Sequence, residues 1–138
     1  MKAIVDTCVW SFGLRRGSQA RLNTEEQKTL ADLREAIRDR RAAIIGPIRQ
    51  EVLSGIRDRV WFAKTRELLD PFLDEEITSD DYIEAARLFN LCRDHGVECG
   101  PVDILICSVA VRHGFGILTS DKGLIRCIEV LRSAGSNL

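Results

Sequence analysis

The stretch Ala3-Ile4-Val5-Asp6 decides the fold class of this chain. Three apolar residues that end at an acid are typical of a short buried strand whose carboxyl end carries Asp6. Ala42-Ala43-Ile44-Ile45 and the stretch from Phe115 to Thr119 have the same apolar character. Because helical segments separate these strands, the pattern indicates right-handed βαβ units and a mostly parallel sheet covered by helices. We therefore predict a single α/β domain over residues 1–138.

Helical periodicity fills the intervals between the strands. Apolar residues recur at helical spacing after Thr24, whose spacing from Gln27 predicts a capping box. Further helices are predicted to open at Pro47, to span Val60 to Leu69, to run from a cap at Ser79 to Gly96 and from Pro101 to Gly114, and to follow Asp121. Glu76-Ile77-Thr78 is a further candidate strand, so we expect a sheet of four or five strands.

The composition is that of one globular domain. The chain has 138 residues, 45% of them apolar and 30% charged, which argues against a disordered or fibrous protein. No apolar run is long enough to span a membrane, and the first apolar run reaches Asp6 after three residues, unlike a signal peptide. The five cysteines include no CxxC pair. We therefore expect a cytoplasmic protein with reduced thiols and no membrane partner.

The charges are divided unevenly along the chain. Residues 1–66 hold 14 basic and 8 acidic residues, whereas residues 67–138 hold 6 basic and 13 acidic, although the net charge is only −1. This is not the basic balance of a stand-alone nucleic-acid-binding domain. Two interpretations remain open: two halves that attract each other, or a basic surface for a polyanion beside an acidic site.

Four acidic residues fall where an α/β fold places its sites. Asp6 and Asp121 follow predicted strands at their carboxyl ends, which is the sheet edge where ligands bind. Glu51 and Asp103 lie in the first turns of predicted helices, where a carboxylate is also a common cap. Asp6 and Asp103 adjoin apolar runs without Lys or Arg, and a buried carboxylate needs a cation, a donor or a proton. Converging acids of this kind predict Mg²⁺ or Mn²⁺, which activates water and stabilises phosphoryl charge.

Four stretches in a fixed order carry a resemblance to a known family: Ile4 to Trp10, Gln50 to Arg57, Asp103 to Ile106, and Leu118 to Asp121. With them the chain resembles the PIN-domain family, and within it the small VapC-like toxins, over essentially its whole length. The resemblance implies a three-layer fold with a central parallel sheet and the activity of a metal-dependent endoribonuclease, the toxin of a toxin–antitoxin pair. It also implies RNA as substrate, a cognate antitoxin protein as partner, and a homodimer.

The resemblance also assigns roles to single residues. The family's acids, which would bind one or two Mg²⁺ or Mn²⁺ ions and carry the catalysis, fall on Asp6, Glu51, Asp103 and Asp121. Supporting hydroxyl groups are expected at Thr7, Thr119 and Ser120.

Two positions depart from the family's pattern. Cys8 stands where a small polar residue is common, and a thiol is a weaker hydrogen-bond partner for Asp6. Gly123 stands where many relatives have a further acid. We therefore expect at least one protein-held metal ion, with a second arriving with the substrate.

Other residues are candidates for contact with RNA. Phosphate contacts are predicted for Arg15, Arg16, Arg57 and Lys122, and neutralising such residues should weaken binding and its salt dependence. The aromatic residues Trp10, Phe12, Trp61 and Phe62 are either base-stacking platforms or residues of the core or of a subunit interface.

Two other functions stay open at this point. A PIN-like module that binds RNA or protein without cutting would share the fold, but it has no evident use for four acids. A phosphatase-like or receiver-like α/β domain built around Asp6 is the other alternative. It fits less well because position 8 is Cys, where an aspartyl-phosphate phosphatase usually has a second Asp.

Overall fold

A short parallel sheet organises the chain. The computed structural model describes residues 1–14 and 22–138. Within them, β1 (Ala3–Val5) lies between β2 (Ala42–Ala43) and β3 (Gly116–Leu118), and all three strands are parallel. Because β1 is the central strand and Val5 pairs with Leu118, Asp6 leaves the middle of the sheet's carboxyl edge beside the end of β3.

Seven helices flank the sheet in the described part of the chain. They are α1 (Thr7–Leu14), α2 (Thr24–Arg38), α3 (Gly46–Ser54), α4 (Arg59–Leu69), α5 (Ser79–Asp94), α6 (Pro101–His113) and α7 (Lys122–Ser133). None of these helices is long and apolar enough to cross a membrane. The predicted α/β architecture with a parallel sheet between helices is confirmed.

The core fixes the position of the sheet edge. Ile4 and Val5 of β1 are fully buried, and every residue of α6 from Ile104 to Ala110 is buried. Helix α6 packs against α5, α7 and both β1 and β3. Its first turn is therefore held at a fixed place beside the central strand.

The sheet has three strands within the described residues, not four or five. The stretch Glu76-Ile77-Thr78 is not a strand, since Thr78 caps α5. The chain instead makes a single isolated bridge there, between Ile44 and Asp74. One bridge is too short a pairing to extend the sheet.

The caps predicted at Thr24 and Ser79 are wrong by one residue. Asn23 caps α2 and Thr78 caps α5, and in each case the acidic side chain three residues later accepts from the cap's backbone N–H. Both are complete capping boxes. Because Asn is as good a cap as Thr, and Asp can replace Glu at the third position, the sequence pattern alone does not fix the starting residue.

The prediction of five reduced thiols is wrong in this structure. Cys99 and Cys127 form a disulfide across a sequence separation of 28 residues. Cys92 and Cys107 are free and buried, and Cys8 is free and half-buried. Only the packing of α7 against the chain before α6 brings the two distant cysteines together, so no spacing rule could have predicted the pair.

Candidate active site

Asp6 is the innermost acid of the site. Only 6% of its surface is exposed, and its backbone N–H donates to the carbonyl of Leu118 at 2.9 Å. Its Oδ1 accepts from the Thr7 N–H at 2.8 Å, and its Oδ2 accepts from the Thr119 hydroxyl at 2.7 Å. These donors offset the desolvation of the carboxylate and fix its orientation.

Thr119 links Asp6 to Asp121. The Thr119 hydroxyl accepts from the Asp121 N–H at 3.0 Å while it donates to Asp6. Asp121 is the N-cap of α7, and its Oδ2 accepts from the Leu124 N–H at 2.8 Å. The start of α7 thus holds the second acid just past the end of β3.

Glu51 is held at the carboxyl edge of the sheet by a hydrogen bond from Thr7. It lies on the exposed side of α3, a helix that starts directly after the buried residues Ile44 and Ile45. The Thr7 hydroxyl donates to Glu51 Oε1 at 2.7 Å. Thr7 therefore contacts two acids, one through its backbone N–H and one through its hydroxyl.

Asp103 completes the set from the first turn of α6. Its pKa is raised to about 6, first by burial and then by the negative charges of Asp6, Asp121 and Glu51. Charges raise one another's pKa only when they are close and poorly screened. The four acids thus share one electrostatic environment.

The four carboxylates line one open cavity of about 660 Å³. Its other lining residues are Thr7, Cys8, Pro47, Gln50, Ser54 and Val102. Across residues 1–14 and 22–138, no Lys, Arg or His forms an ion pair with any of the four acids. The cavity therefore concentrates negative charge that these residues leave unbalanced.

This donor set fits a hard divalent cation that keeps part of its water shell. Mg²⁺ typically binds through one or two carboxylates and several waters. No three His, Cys, Asp or Glu side chains are arranged to hold one ion directly in the ranges that the structure describes. The geometry is thus compatible with an ion bound partly through water, and not with a closed cage of protein ligands.

Cys8 and Gly123, the two departures from the family's pattern, both bear on the acids. The Cys8 thiol donates to Asp6 Oδ2 at 3.5 Å and contacts the Ser120 hydroxyl at 3.5 Å. Burial raises the pKa of the Cys8 thiol, so it stays protonated and remains a weak donor. A Cβ atom at Gly123 would lie only 3.2 Å from Asp121 Oδ2, so a side chain there would press on this acid.

Of the basic residues predicted to contact RNA, the two that the structure describes do not line the acidic cavity. Arg15 and Arg16 lie outside the described residues. Arg57 is exposed after α3 and is not among the residues that line the acidic cavity. Lys122 is exposed at the start of α7, in a depression that it shares with Cys8.

Two cavity residues were missed at the level of sequence. Gln50 and Ser54 line the cavity from the helix that carries Glu51. Ser54 lies three residues after Glu51 and four after Gln50, and both spacings make side chains neighbours on a helix. These spacings are the feature of the sequence from which both cavity residues could be predicted.

Of the aromatic candidates, Trp10 is 1% exposed and belongs to the core.

Comparisons with known proteins agree with this architecture. The family model for the PIN domain matches residues 3–128. No curated protein has a significantly similar sequence. The chain is similar in structure to FitAcB from Neisseria gonorrhoeae, with a TM-score of 0.68, 17% identity, and coverage of 92% of this chain and 93% of that one. It is also similar to VapBC2 from Rickettsia felis bound to a DNA fragment from their promoter, with a TM-score of 0.65, 14% identity and coverage of 91% and 92%.

Proposed function

Because the chain belongs to the PIN domain family, we propose that it is a metal-dependent endoribonuclease. The observation that carries this proposal is the common cavity of Asp6, Glu51, Asp103 and Asp121, in which the charges of the other three help to raise the pKa of Asp103. A module that only binds RNA gains affinity from cations, and a cluster of acids would weaken its binding. The acids therefore favour catalysis over simple binding.

In this mechanism the four acids would hold one or two Mg²⁺ or Mn²⁺ ions. A bound ion of this kind supplies an activated water and stabilises the charge on the phosphoryl group under attack. The protein contributes hydrogen bonds that orient the carboxylates that would bind the metal. Thr7 and Thr119 hold the Asp6 carboxylate by donating to both of its oxygens, and Thr7 also holds Glu51. At neutral pH Asp103, with a pKa of about 6, presents a charged carboxylate.

The test is cleavage of a covalently closed circular RNA. A circle has no ends, so only an endonuclease converts it to a linear product. We expect the wild-type protein to linearise the circle with Mg²⁺ or Mn²⁺, and to leave it intact with EDTA or when Asp6→Asn is used. An intact circle with folded wild-type protein and both metals, across RNAs from several bacterial sources, would contradict the proposal.

We propose in addition that the protein is the toxin of a toxin–antitoxin pair. Support comes from two proteins of similar structure, VapBC2 and FitAcB, which are toxin–antitoxin complexes. We expect induction of the wild-type chain alone to arrest bacterial growth, and induction of Asp6→Asn to have no effect. Co-expression of its cognate antitoxin should restore growth. Growth unaffected by the wild-type chain, in its own host and at confirmed expression, would contradict the toxin assignment.

A homodimer is the last part of this proposal. Val60 and Leu68 are 76% and 44% exposed, and their spacing of eight residues places them on one side of α4. A contiguous exposed apolar patch is typical of a protein–protein contact, and we propose that these two side chains belong to one. We expect light scattering to give twice the 15.5 kDa of one chain. Val60→Glu should shift the mass towards that of the monomer.

A further inference from the structure

A second cleft opens beside the acidic cavity, and the two share Glu51 as a common wall. The cleft has a volume of about 290 Å³ and lies between α1, α3 and α4. Leu14, Val52, Ile56 and the half-exposed indole of Trp61 contribute its apolar lining. It is thus an apolar compartment joined directly to the site at which we place the chemistry.

Thr65 gives this cleft an unusual polar feature. Thr65 lines the cleft, is only 1% exposed, and its hydroxyl has no hydrogen-bond partner in the described ranges of the chain. A buried Thr in a helix commonly donates to the carbonyl four residues earlier, as the Thr29 hydroxyl does to Glu25 at 2.9 Å. Because an unpartnered buried hydroxyl is unfavourable, its presence at the cleft points to a ligand with a hydrogen-bonding edge.

We infer that this cleft is a nucleobase subsite for the RNA strand whose phosphodiester enters the acidic cavity. The base would stack on Trp61 and exchange a hydrogen bond with the Thr65 hydroxyl, while the backbone continues past Glu51. Stacking on an aromatic ring accepts every base, and the hydroxyl adds a preference among them. The inference rests on the proposed ribonuclease function, whose substrate contact it specifies.

The helix that contributes Trp61 and Thr65 to the cleft is rich in basic residues, of which Lys64 and Arg66 line a separate depression with Glu67 and Asp70. Four exposed basic residues lie on or just before α4, namely Arg57, Arg59, Lys64 and Arg66. The single acid between residues 56 and 66 is Asp58, which caps α4. Cations of this density favour a nucleic-acid strand over an uncharged apolar peptide as the occupant.

The first test measures the affinity of the full-length chain for a single-stranded oligoribonucleotide. Asp6→Asn is used as the background, with Mg²⁺ present, so that the RNA is not cut. Trp61→Leu removes the ring but keeps an apolar side chain, and Thr65→Val removes the hydroxyl but keeps the shape. Phe62→Leu is the matched control, because Phe62 is an exposed aromatic on the same helix that does not line the cleft.

We expect Trp61→Leu to weaken the affinity about tenfold, in line with the loss of one stacked base. Thr65→Val should weaken it by a smaller factor and shift the base preference next to the cut in the wild-type background. Its melting temperature should stay unchanged or rise, since it removes an unpartnered buried hydroxyl. A purely structural role of Thr65 would lower the melting temperature instead. Phe62→Leu should behave as the background.

A second test needs no cleavage and no RNA. The chain has two tryptophans, and Trp10 is buried, so quenching by an added nucleoside reports on Trp61. We expect uncharged nucleosides to quench the fluorescence of the wild-type chain saturably, and that of Trp61→Leu hardly at all.

The outcomes separate the subsite from the nuclease. Equal RNA affinities for Trp61→Leu, Thr65→Val and Phe62→Leu, with wild-type cleavage intact, would overturn the subsite and leave the proposed function standing. Loss of antitoxin binding in Trp61→Leu with unchanged RNA affinity would also overturn it, and would assign the cleft to the protein partner. A chain that fails to cut circular RNA but shows Trp61-dependent nucleoside quenching would contradict the nuclease and support the base site.

Discussion

The Thr119 hydroxyl lies 2.7 Å from Asp6 Oδ2 and donates a hydrogen bond to it across 113 residues of sequence. The contact exists because β1 and β3 are parallel neighbours, so that the residues following both strands emerge at the same edge. The same hydroxyl accepts from the backbone N–H of Asp121. One side chain thus fixes the positions of two of the four acids.

We therefore expect Thr119→Val to lower RNA cleavage about 10- to 100-fold, the usual cost of losing a group that orients a metal ligand. Thr119→Ser keeps the hydroxyl and should restore most of the activity. The measurement is kcat/KM, together with the Mn²⁺ concentration that gives half-maximal rate. A Val variant with wild-type values for both would show that Thr119 does not position the acids.

The second prediction concerns stability and pH in the absence of metal. Asp103 has a pKa of about 6 in the fold against an ordinary value of 3.8, so the native state binds more protons than the unfolded state between these values. The free energy of unfolding therefore falls as pH rises through this window. The full shift corresponds to about 3 kcal/mol. Because Asp103 is only partly buried and solvent screens its neighbours, we expect about 1 kcal/mol.

Asp103→Asn removes the destabilising charge of this carboxylate. In EDTA at about pH 7.5, the variant should be more stable than the wild type by that amount, which is about 4 °C in melting temperature. Below about pH 4 the two proteins should melt together. If the difference in stability between the wild type and Asp103→Asn is the same at both pH values, the four charges do not interact in the folded chain.

Binding of a divalent metal ion should stabilise the fold, whereas the charge on Asp103 destabilises it in the absence of metal. Metal that binds the native chain stabilises it by about 2.7 kcal/mol when its concentration is 100 times its Kd. We expect Mn²⁺ at millimolar excess to raise the melting temperature of the wild type and to release protons near pH 6, where Asp103 titrates. Asp6→Asn should show a much smaller response. Equal shifts in both proteins would indicate binding elsewhere.

An ion pair between Asp81 of α5 and Arg112 of α6 gives a prediction that separates stability from function. The Asp81 side chain is fully buried and accepts from Arg112 Nε at 2.9 Å. Burial raises the pKa of Asp81, but the hydrogen bonds from Thr78, His113 and Arg112 outweigh it, so the pKa lies below its ordinary value of 3.8. A depressed pKa stabilises the fold above about pH 4, and this contribution disappears as pH falls through the folded pKa.

Asp81→Asn should thus lower the free energy of unfolding by about 2 kcal/mol at pH 7, because it removes the charged acceptor of the buried hydrogen bonds from Thr78 and Arg112. The matched control is Asp80→Asn, whose carboxylate is 73% exposed and lies 3.8 Å from the same guanidinium. We expect that change to stay within about 0.5 kcal/mol. Urea unfolding measures both. Equal effects would mean that burial of Asp81 contributes nothing.

The disulfide predicts a thiol count. With Cys99 and Cys127 joined, unfolded protein purified without reductant should show three reactive thiols out of five, and all five after reduction. Reduction should cost about 3.5 kcal/mol of stability for a loop of this length. Five reactive thiols before reduction would show that the pair is reduced in the purified protein.

Much of the site could be predicted because its acids lie next to features that sequence patterns detect. Asp6 and Asp121 follow apolar strands, and Asp103 follows a proline that opens a buried helix. Helix α1 was not predicted, since Thr7–Leu14 is made largely of Cys, Val, Trp, Phe, Ser and Gly, which are weak helix formers that only tertiary packing holds. The hydroxyl contacts of Thr7 and Thr119 depend on the register of parallel strands, which the resemblance suggested and only the structure shows.

The most direct test of the central claim is single-turnover cleavage of one defined RNA by the wild type and by Asp6→Asn, Glu51→Gln, Asp103→Asn and Asp121→Asn, with the Asp80→Asn control. Because the four acids would hold metal as a unit, we predict that each neutral variant loses at least 100-fold in rate. Asp80→Asn should cut at the wild-type rate, and EDTA should abolish all cleavage. Cleavage that survives EDTA, or that all four site variants retain, would contradict a metal-dependent nuclease centred on these acids.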